Sequence, residues 1–326
     1  MITLEDVALK AGVSRATVSR VVNGDQKVKT QTKAKVQRAI IELGYSPNPA
    51  ARALASNHSQ TIGLVTTSYL GGFFGLLMDN VQTEADLNRK QLLVTQGKGT
   101  AENELNAINK LYNMRCDGLI LHVRAIDDAT LCQFAQQDKP FVLLDRFIPA
   151  IAERCIAFDH YLASQLAAQY LLDKGHQSIA CIYGPKNRSS SLIRQQGFVD
   201  QLNRHKLTPT YCISGEYDLT SGYQAMHDIL HTTQPITAIY CCNEEMALGA
   251  LLAISEQGLR VPDDISLLCY DSGERAECAS PKLTSVYFPI REMAQQATRL
   301  LINPDLSPTV FTPQIIERES VKDLNL

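Results

Sequence analysis

The stretch Thr3 to Gly24, TLEDVALKAGVSRATVSRVVNG, decides how the start of this 326-residue chain is read. It has the pattern of a short helix, a tight turn and a second short helix. Ala8 and Val13 are small or apolar where the two helices must approach, and Gly12 stands where the chain turns with a backbone freedom that a side chain would restrict. Ser14 offers a hydroxyl at the start of the second helix, where free amides need an acceptor. From there Arg15, Ala16, Thr17, Ser19 and Arg20 face outward at helical spacing, while Val18, Val21 and Val22 are left to pack inward. A second helix of this make-up suits a DNA major groove. A plain amphipathic hairpin would share much of the pattern, so its surroundings must decide.

A third helical pattern, Thr30 to Leu43, carries Lys33, Lys35 and Arg38 on one side and Val36, Ile40 and Leu43 on the other. Then GYSPNPAARALA (Gly44 to Ala55) breaks that helix with two prolines and adds an alanine-rich turn and a half of potential helix ending near Leu54. Charge divides the chain at the same place. Residues 1–60 hold nine Lys or Arg against four Asp or Glu, net +5, and the remainder holds 22 against 30, net −8. The basic end can meet phosphates while the acidic bulk stays soluble.

Length suits two to three structural units. No apolar run approaches the roughly 20 residues of a membrane span, and Met1 to Asp6 lacks a basic start followed by an apolar core, so a cytoplasmic protein is expected. The nine cysteines are scattered with no Cys-x-x-Cys, and Cys181, Cys241 and Cys269 lie inside apolar strand patterns; reduced thiols are expected, not disulfides or a metal site. From Thr61 onward, strand-length apolar runs alternate with helical patterns. The strands are IGLVTT (62–67), QLLVTQ (91–96), GLILHV (118–123), PFVLLD (140–145), SIACIY (178–183), TAIYCC (237–242) and SLLCYD (266–271). Helical patterns run over 75–88, 102–113, 161–174, 192–205 and 246–257. Such alternation gives parallel sheets with helices on both faces, and a ligand cleft at the carboxyl ends of the strands.

The segments AGVSRATVSRVVN (11–23), YSPNPAARALA (45–55), PFVLLDRFIPAIAERCIAFD (140–159), NEEMALGA (243–250) and VPDDISLLCYD (261–271) resemble the lactose and galactose repressor family of bacterial transcription regulators, most closely its galactose branch. The resemblance runs through nearly the whole chain. It implies a small all-α helix-turn-helix headpiece (1–45), a hinge helix and linker (46–60), and an α/β two-lobed body like the periplasmic sugar-binding proteins (61–326). One lobe would take about 61–158 and 289–313, the other about 159–288 and 314–320. It also implies that the hinge folds on DNA, where paired hinges enter the minor groove and a leucine, matched here by Leu54, wedges a central base step. Arg15, Ala16 and Arg20 are expected at base edges, with Thr17 and Ser19 near phosphates; Thr3, Ser14, Asn23, Asn48 and Ala51 complete the expected DNA-binding set. One recognition helix reads only a few base pairs, so a homodimer on a palindromic operator is expected.

A sugar needs paired hydrogen bonds to its hydroxyls and an apolar platform for its C–H face. Asp145, Asn243 and Asp271 each end an expected strand and would point into the crevice, although an Asp or Asn there can merely cap the next helix. Arg194 lies where similar proteins carry an arginine that grips ligand hydroxyls. Phe73, Phe74 and Tyr217 are the expected platforms, with Ser68 and Asp159 as weaker contacts. Asp145 stands where close galactose-type relatives can have an amide, and Ser190 to Ile193 lacks the acidic residues found there in the galactose repressor. A galactoside or glucoside is therefore expected as effector, with a non-sugar corepressor, or a sugar receptor that does not bind DNA, as the alternatives.

No enzyme, cofactor or metal is expected. His227 and His231 have zinc-pair spacing, but HDILH carries Asp where the metalloprotease motif needs Glu. Gly97-Lys98-Gly99 opens a dinucleotide-like pattern that Glu102 closes in place of the third glycine. Replacing Leu54 by Ser is expected to weaken operator binding in a gel-shift titration while sugar binding by calorimetry stays intact; equal loss of both would overturn the hinge reading.

Overall fold

The computed structural model describes residues 2–22, 25, 27–46, 59–137 and 139–326. The expected hinge helix, with Asn48, Ala51 and Leu54, and also Asn23, lie outside the described residues. Two compact units divide between residues 60 and 61.

In the first unit, α1 (Leu4–Ala11), α2 (Arg15–Val22) and α3 (Thr30–Leu43) enclose Val7, Ala8, Val18, Val21, Val36 and Ala39. Thr3 and Asp6 form a capping box: the Thr3 N–H donates to Asp6 Oδ2 at 2.8 Å and the Asp6 N–H to Thr3 Oγ1 at 3.4 Å. Gly12, at φ 67°, closes α1 in the left-handed conformation that a side chain resists. Ser14 Oγ accepts the Thr17 N–H at 3.2 Å, which starts α2. Arg15, Ala16 and Arg20 are left exposed, with Thr17 and Ser19 half-buried. Arg15 pairs with Glu5 at 3.0 Å across open surface, a contact worth under about 1 kcal/mol.

The second unit holds two sheets. The first is ordered β2-β1-β3-β4-β5, all parallel, from β1 (Thr61–Thr66), β2 (Gln91–Gln96), β3 (Gly118–Leu121), β4 (Phe141–Leu144) and β5 (Cys155–Ile156). Its helices are α4 (Gly72–Leu87), α5 (Ala101–Asn113) and α6 (Asp128–Gln136). The second is ordered β11-β10-β9-β8-β6-β7, from β6 (Ile179–Tyr183), β7 (Tyr211–Ser214), β8 (Ala238–Cys241), β9 (Ser266–Asp271), β10 (Thr284–Tyr287) and β11 (Gln314–Ile316), the last running antiparallel to β10. With it go α7 (His160–Asp173), α8 (Ser189–Arg204), α9 (Leu219–Leu230), α10 (Glu244–Glu256) and the short α11 (Glu274–Cys278). After β10 the chain returns to the first sheet as α12 (Ile290–Ile302), which packs on α4 and is tied there by Arg299 to Glu84 at 2.8 Å and Gln295 to Asn80 at 3.1 Å. It then crosses back to β11, and Phe158 bridges Phe311 where two of the crossings run side by side. Three crossings thus join the halves; the inner strands of both sheets are buried, as parallel sheets covered on both faces require, while the edge strands β2, β7 and β11 are partly exposed.

The helix pair α9 and α10 is drawn together by glycine. A Cβ on Gly249 would stand 2.1 Å from the Leu219 carbonyl oxygen, and one on Gly222 2.3 Å from that of Met246. Backbone cannot yield as a flexible side chain can. Gly249→Ala is therefore expected to destabilise by about 1–3 kcal/mol despite the ~1 kcal/mol gain in helix propensity. Gly75→Ala, on α4 with open space around it, is expected to stabilise by up to about 1 kcal/mol. Urea unfolding of the two variants checks the opposite signs.

Candidate functional site

The carboxyl ends of both sheets face a cavity of about 420 Å³. Thr67 follows β1, His122 and Arg124 follow β3, Asp145 follows β4, Asn243 follows β8, Asp271 ends β9 and Phe288 follows β10; all line the cavity. The first turn of α4 adds Phe73 and Phe74, and the turn before α8 adds Arg188. Asp145, Tyr217 and Asp271 hold φ values of 58°, 61° and 95°, so the chain turns sharply at three of the side chains in the wall. Strain of this kind concentrates where function fixes the backbone.

A buried polar chain runs across the site. Arg194, on α8, donates from Nη1 to the Cys242 carbonyl at 2.7 Å and from Nε to His160 Nδ1 at 3.3 Å, and its guanidinium lies 3.8 Å from the centre of the Tyr270 ring. Tyr270 Oη stands 2.7 Å from the same His160 Nδ1, and His160 Nε2 stands 2.8 Å from Asp145 Oδ1. An arginine can only donate, so Nδ1 accepts and the single imidazole proton sits on Nε2, donated to Asp145. Burial pushes the His160 pKa down, against the pull of Asp145 and with the help of Arg194, so the ring is neutral. Asp145 Oδ2 and carbonyl then receive the Arg124 guanidinium. Burial opposes the Asp145 charge, but the His160 and Arg124 beside it hold the carboxyl well below the usual range. Asp271, half-buried in the wall, is pushed up by desolvation, and Arg194 at 3.9 Å only partly offsets it.

Arg124 is itself held in place. The fully buried Glu104 accepts the backbone N–H groups of Arg124, Ala125 and Ile126 at 2.8, 2.9 and 3.0 Å, fixing the β3–α6 turn. Its own helix sits against Gly97, where a Cβ would stand 2.6 Å from Glu104 Cγ, so the Gly97-Lys98-Gly99 turn serves packing. Arg124 Nη2 also stands 3.0 Å from His122 Nε2, which must accept; the His122 proton lies on Nδ1, buried without a partner among the described residues. Phe73 stacks on Phe288 at 5.7 Å and meets Phe74 edge-on at 5.0 Å, forming an apolar wall. The Tyr217 ring lies over Gly184, where a Cβ would be 2.1 Å from it.

Of the effector contacts expected from sequence, the structure brings Phe73, Phe74, Asp145, Arg194, Tyr217, Asn243 and Asp271 to one cavity. Ser68 and Asp159 are not in its wall. Ser68 Oγ accepts the Leu70 N–H at 3.0 Å, and Asp159 caps α7 by accepting from Leu162 at 2.9 Å. Asn243 does both things: its amide oxygen caps α10 through Met246 at 3.0 Å and its NH2 donates to the Tyr217 carbonyl at 3.1 Å while facing the cavity. Sequence reasoning missed His122, Arg124, His160, Arg188 and Phe288. His122 and Phe288 had a usable signal, since each follows an apolar strand just as Asp145 does. His227, on α9, and His231, which caps its C-terminus, hold tilted rings 4.2 Å apart, and among the described residues no three His, Cys, Asp or Glu side chains are grouped to hold a metal ion.

Burial, with Arg124 beside it, pushes the His122 pKa down to about 3 from the usual 6.5. Between those values the unfolded chain binds a proton that the folded one refuses, so stability is full above about pH 6.5 and falls as pH drops toward 3. His122→Asn, which keeps an acceptor for Arg124, is expected to flatten that limb by about 1 kcal/mol per pH unit. Urea midpoints at several pH values check it; an unchanged slope removes His122 as the cause.

Comparison with known proteins agrees with this architecture. A family model described as bacterial regulatory proteins, lacI family, matches residues 3–48, and one described as a periplasmic binding protein-like domain matches 168–321. The HTH-type transcriptional regulator GalS of Salmonella typhimurium LT2 is 35% identical over 98% of this chain and 97% of its own. GalR of Escherichia coli K12 is 35% identical over 100% of this chain and 97% of its own. The crystal structure of the lac repressor dimer bound to operator and the anti-inducer ONPF superposes with a TM-score of 0.90 at 31% identity, covering 98% of this chain and 99% of that one. Among the described residues no helix is long and apolar enough to cross a membrane. A helix-turn-helix headpiece joined to a two-sheet body with a polar, aromatic-walled cavity makes this chain a DNA-binding transcription regulator, not an enzyme, and it belongs to the lacI family of bacterial regulatory proteins.

Proposed function

We propose that this protein represses a sugar-utilisation operon in the cytoplasm, binding a palindromic operator as a homodimer and leaving it when a sugar, galactose or a related galactoside or glucoside, fills the cavity. The observation that carries the reading is the facing of Arg194 and Asp271 from one half against Phe73 and Asp145 from the other, around a space of hexose size. Carboxylates and a guanidinium match vicinal hydroxyls in bidentate fashion, and flat rings suit the C–H face of a pyranose. The solved relative that holds operator and anti-inducer together supports two linked sites in one chain. In this reading Arg15, Ala16 and Arg20 meet base edges, Thr17 and Ser19 the backbone, and the hinge around Leu54 transmits the state of the cavity. Ligand closure biases the two halves and so the order of the hinge, which is allostery through a segment that orders on DNA.

Arg194→Ala is expected to keep operator binding while losing release by hexose, with sugar affinity reduced at least about tenfold because charge-assisted hydrogen bonds are lost. Fluorescence anisotropy on operator DNA, with and without sugar, reads both. Normal release in the variant removes Arg194 from the site, and operator binding that tightens on adding sugar overturns the sign of the switch.

A further inference from the structure

Four arginines line the cavity, and three are matched. Arg124 is paired with Asp145 and Arg275 with Glu245, while Arg194 has Asp271 at 3.9 Å. Arg188 differs. Among the described residues its half-buried guanidinium makes neither an ion pair nor a hydrogen bond. The remaining carboxylates of the wall are also engaged: Glu274 pairs with Arg291 at 3.4 Å and Glu244 accepts the Ala276 N–H at 2.8 Å. Among the described residues there is therefore no counter-charge for Arg188.

The surroundings of Arg188 are donors. It springs from the turn after β6 and reaches over to the other half, where its Nη2 would lie 3.9 Å from a Cβ on Gly99, in the turn after β2. It is close enough to His122 to help keep that imidazole uncharged. In the first sheet β1 lies between β2 and β3, so Gly99, Thr67 and His122 stand at the ends of three adjacent strands. Thr67 Oγ1 and His122 Nδ1 are both buried without a hydrogen-bond partner among the described residues, and both can donate. A neutral sugar closing over this corner would strip water from a cation and return nothing; an anionic oxygen group would return charge-assisted, bidentate hydrogen bonds.

Building on the sugar reading above, we propose that the effector is an acidic sugar, a hydroxylated ring bearing one carboxylate or phosphate, whose anion is held by Arg188 next to Thr67 and His122. The ring lies against Phe73 and Phe288 with its hydroxyls toward Arg194 and Asp271.

Calorimetry of the full chain with galactose and glucose, their uronates and their 6-phosphates tests this. One acidic class is expected to bind at least about tenfold more tightly than its parent hexose, with an advantage that shrinks as salt rises. The uronate and phosphate arms identify which anion is used. In Arg188→Gln the acidic and neutral forms are expected to bind alike, and Arg188→Lys to keep part of the preference. A neutral hexose that binds the unaltered protein as tightly as both acidic forms overturns the inference and leaves the sugar reading standing. So does an acid preference that survives in Arg188→Gln. Failure of every sugar, neutral and acidic, to bind overturns both.

Discussion

The site depends on a neutral imidazole. His160 is buried at the first turn of α7, where the chain passes from one sheet to the other, and it faces a carboxylate on one side and two donors on the other. Only a ring with its proton on Nε2 satisfies all of them. Protonating Nδ1 would set N–H against the N–H of Arg194 and leave the Nε2 side without a proton for Asp145 in a neutral ring, so desolvation and geometry select the same state. From that one tautomer the rest follows: Asp145 stays ionised, Arg124 is fixed on it, and Arg194 keeps Nη1 on the Cys242 carbonyl. A buried ion pair contributes little net stability once desolvation is subtracted, but it specifies arrangement, and here the arrangement sets one half of the body against the other.

Backbone strain and close packing serve the same end. Asp145, Tyr217, Asp271 and Ser272 hold φ between 55° and 95°, each costing on the order of 1 kcal/mol relative to glycine. Glycine would relax those turns but delete three side chains that line the cavity, those of Asp145, Tyr217 and Asp271, and the Ser272 hydroxyl that receives Arg318. Conversely, Gly184 and Gly97 are bare because Tyr217 and Glu104 occupy the space a Cβ would take. Glu104 in turn lends its carboxylate to three backbone amides of the Arg124 turn, so a residue outside the cavity wall decides where a cavity arginine begins.

Much of this was legible in the sequence, for identifiable reasons. The headpiece announced itself because its apolar spacing is local and its caps and turn glycine are realised by contacts within three or four residues. The long parallel strands were visible as unbroken apolar runs, because burial on both faces leaves no alternation. Three short strands, β5, β7 and β10, were not read: β5 has two residues, and the edge strand β7 is half exposed and mixes Tyr, Cys and Ser. Asp145 and Asp271 could be named from their place at strand ends. His160 could not, since its partners lie 15, 34 and 110 residues away and its local context, Asp then His at a helix start, is that of an ordinary cap. Ser68 and Asp159 show the converse: short polar side chains near strand ends are as readily spent on the nearest backbone amide as on a ligand.

That competition bears on the switch proposed above. Arg194, His160, Asp145 and Arg124 are already hydrogen-bonded to one another or to backbone, so a ligand gains them only by replacing partners that span both halves. Each charge-assisted bond exchanged is worth about 1.5–3 kcal/mol, the same size as a typical coupling energy between distant sites. In the switch proposed above, a ligand that takes over Asp145 or Arg194 would loosen the His160–Asp145 link between the halves, with the three chain crossings as the remaining connections.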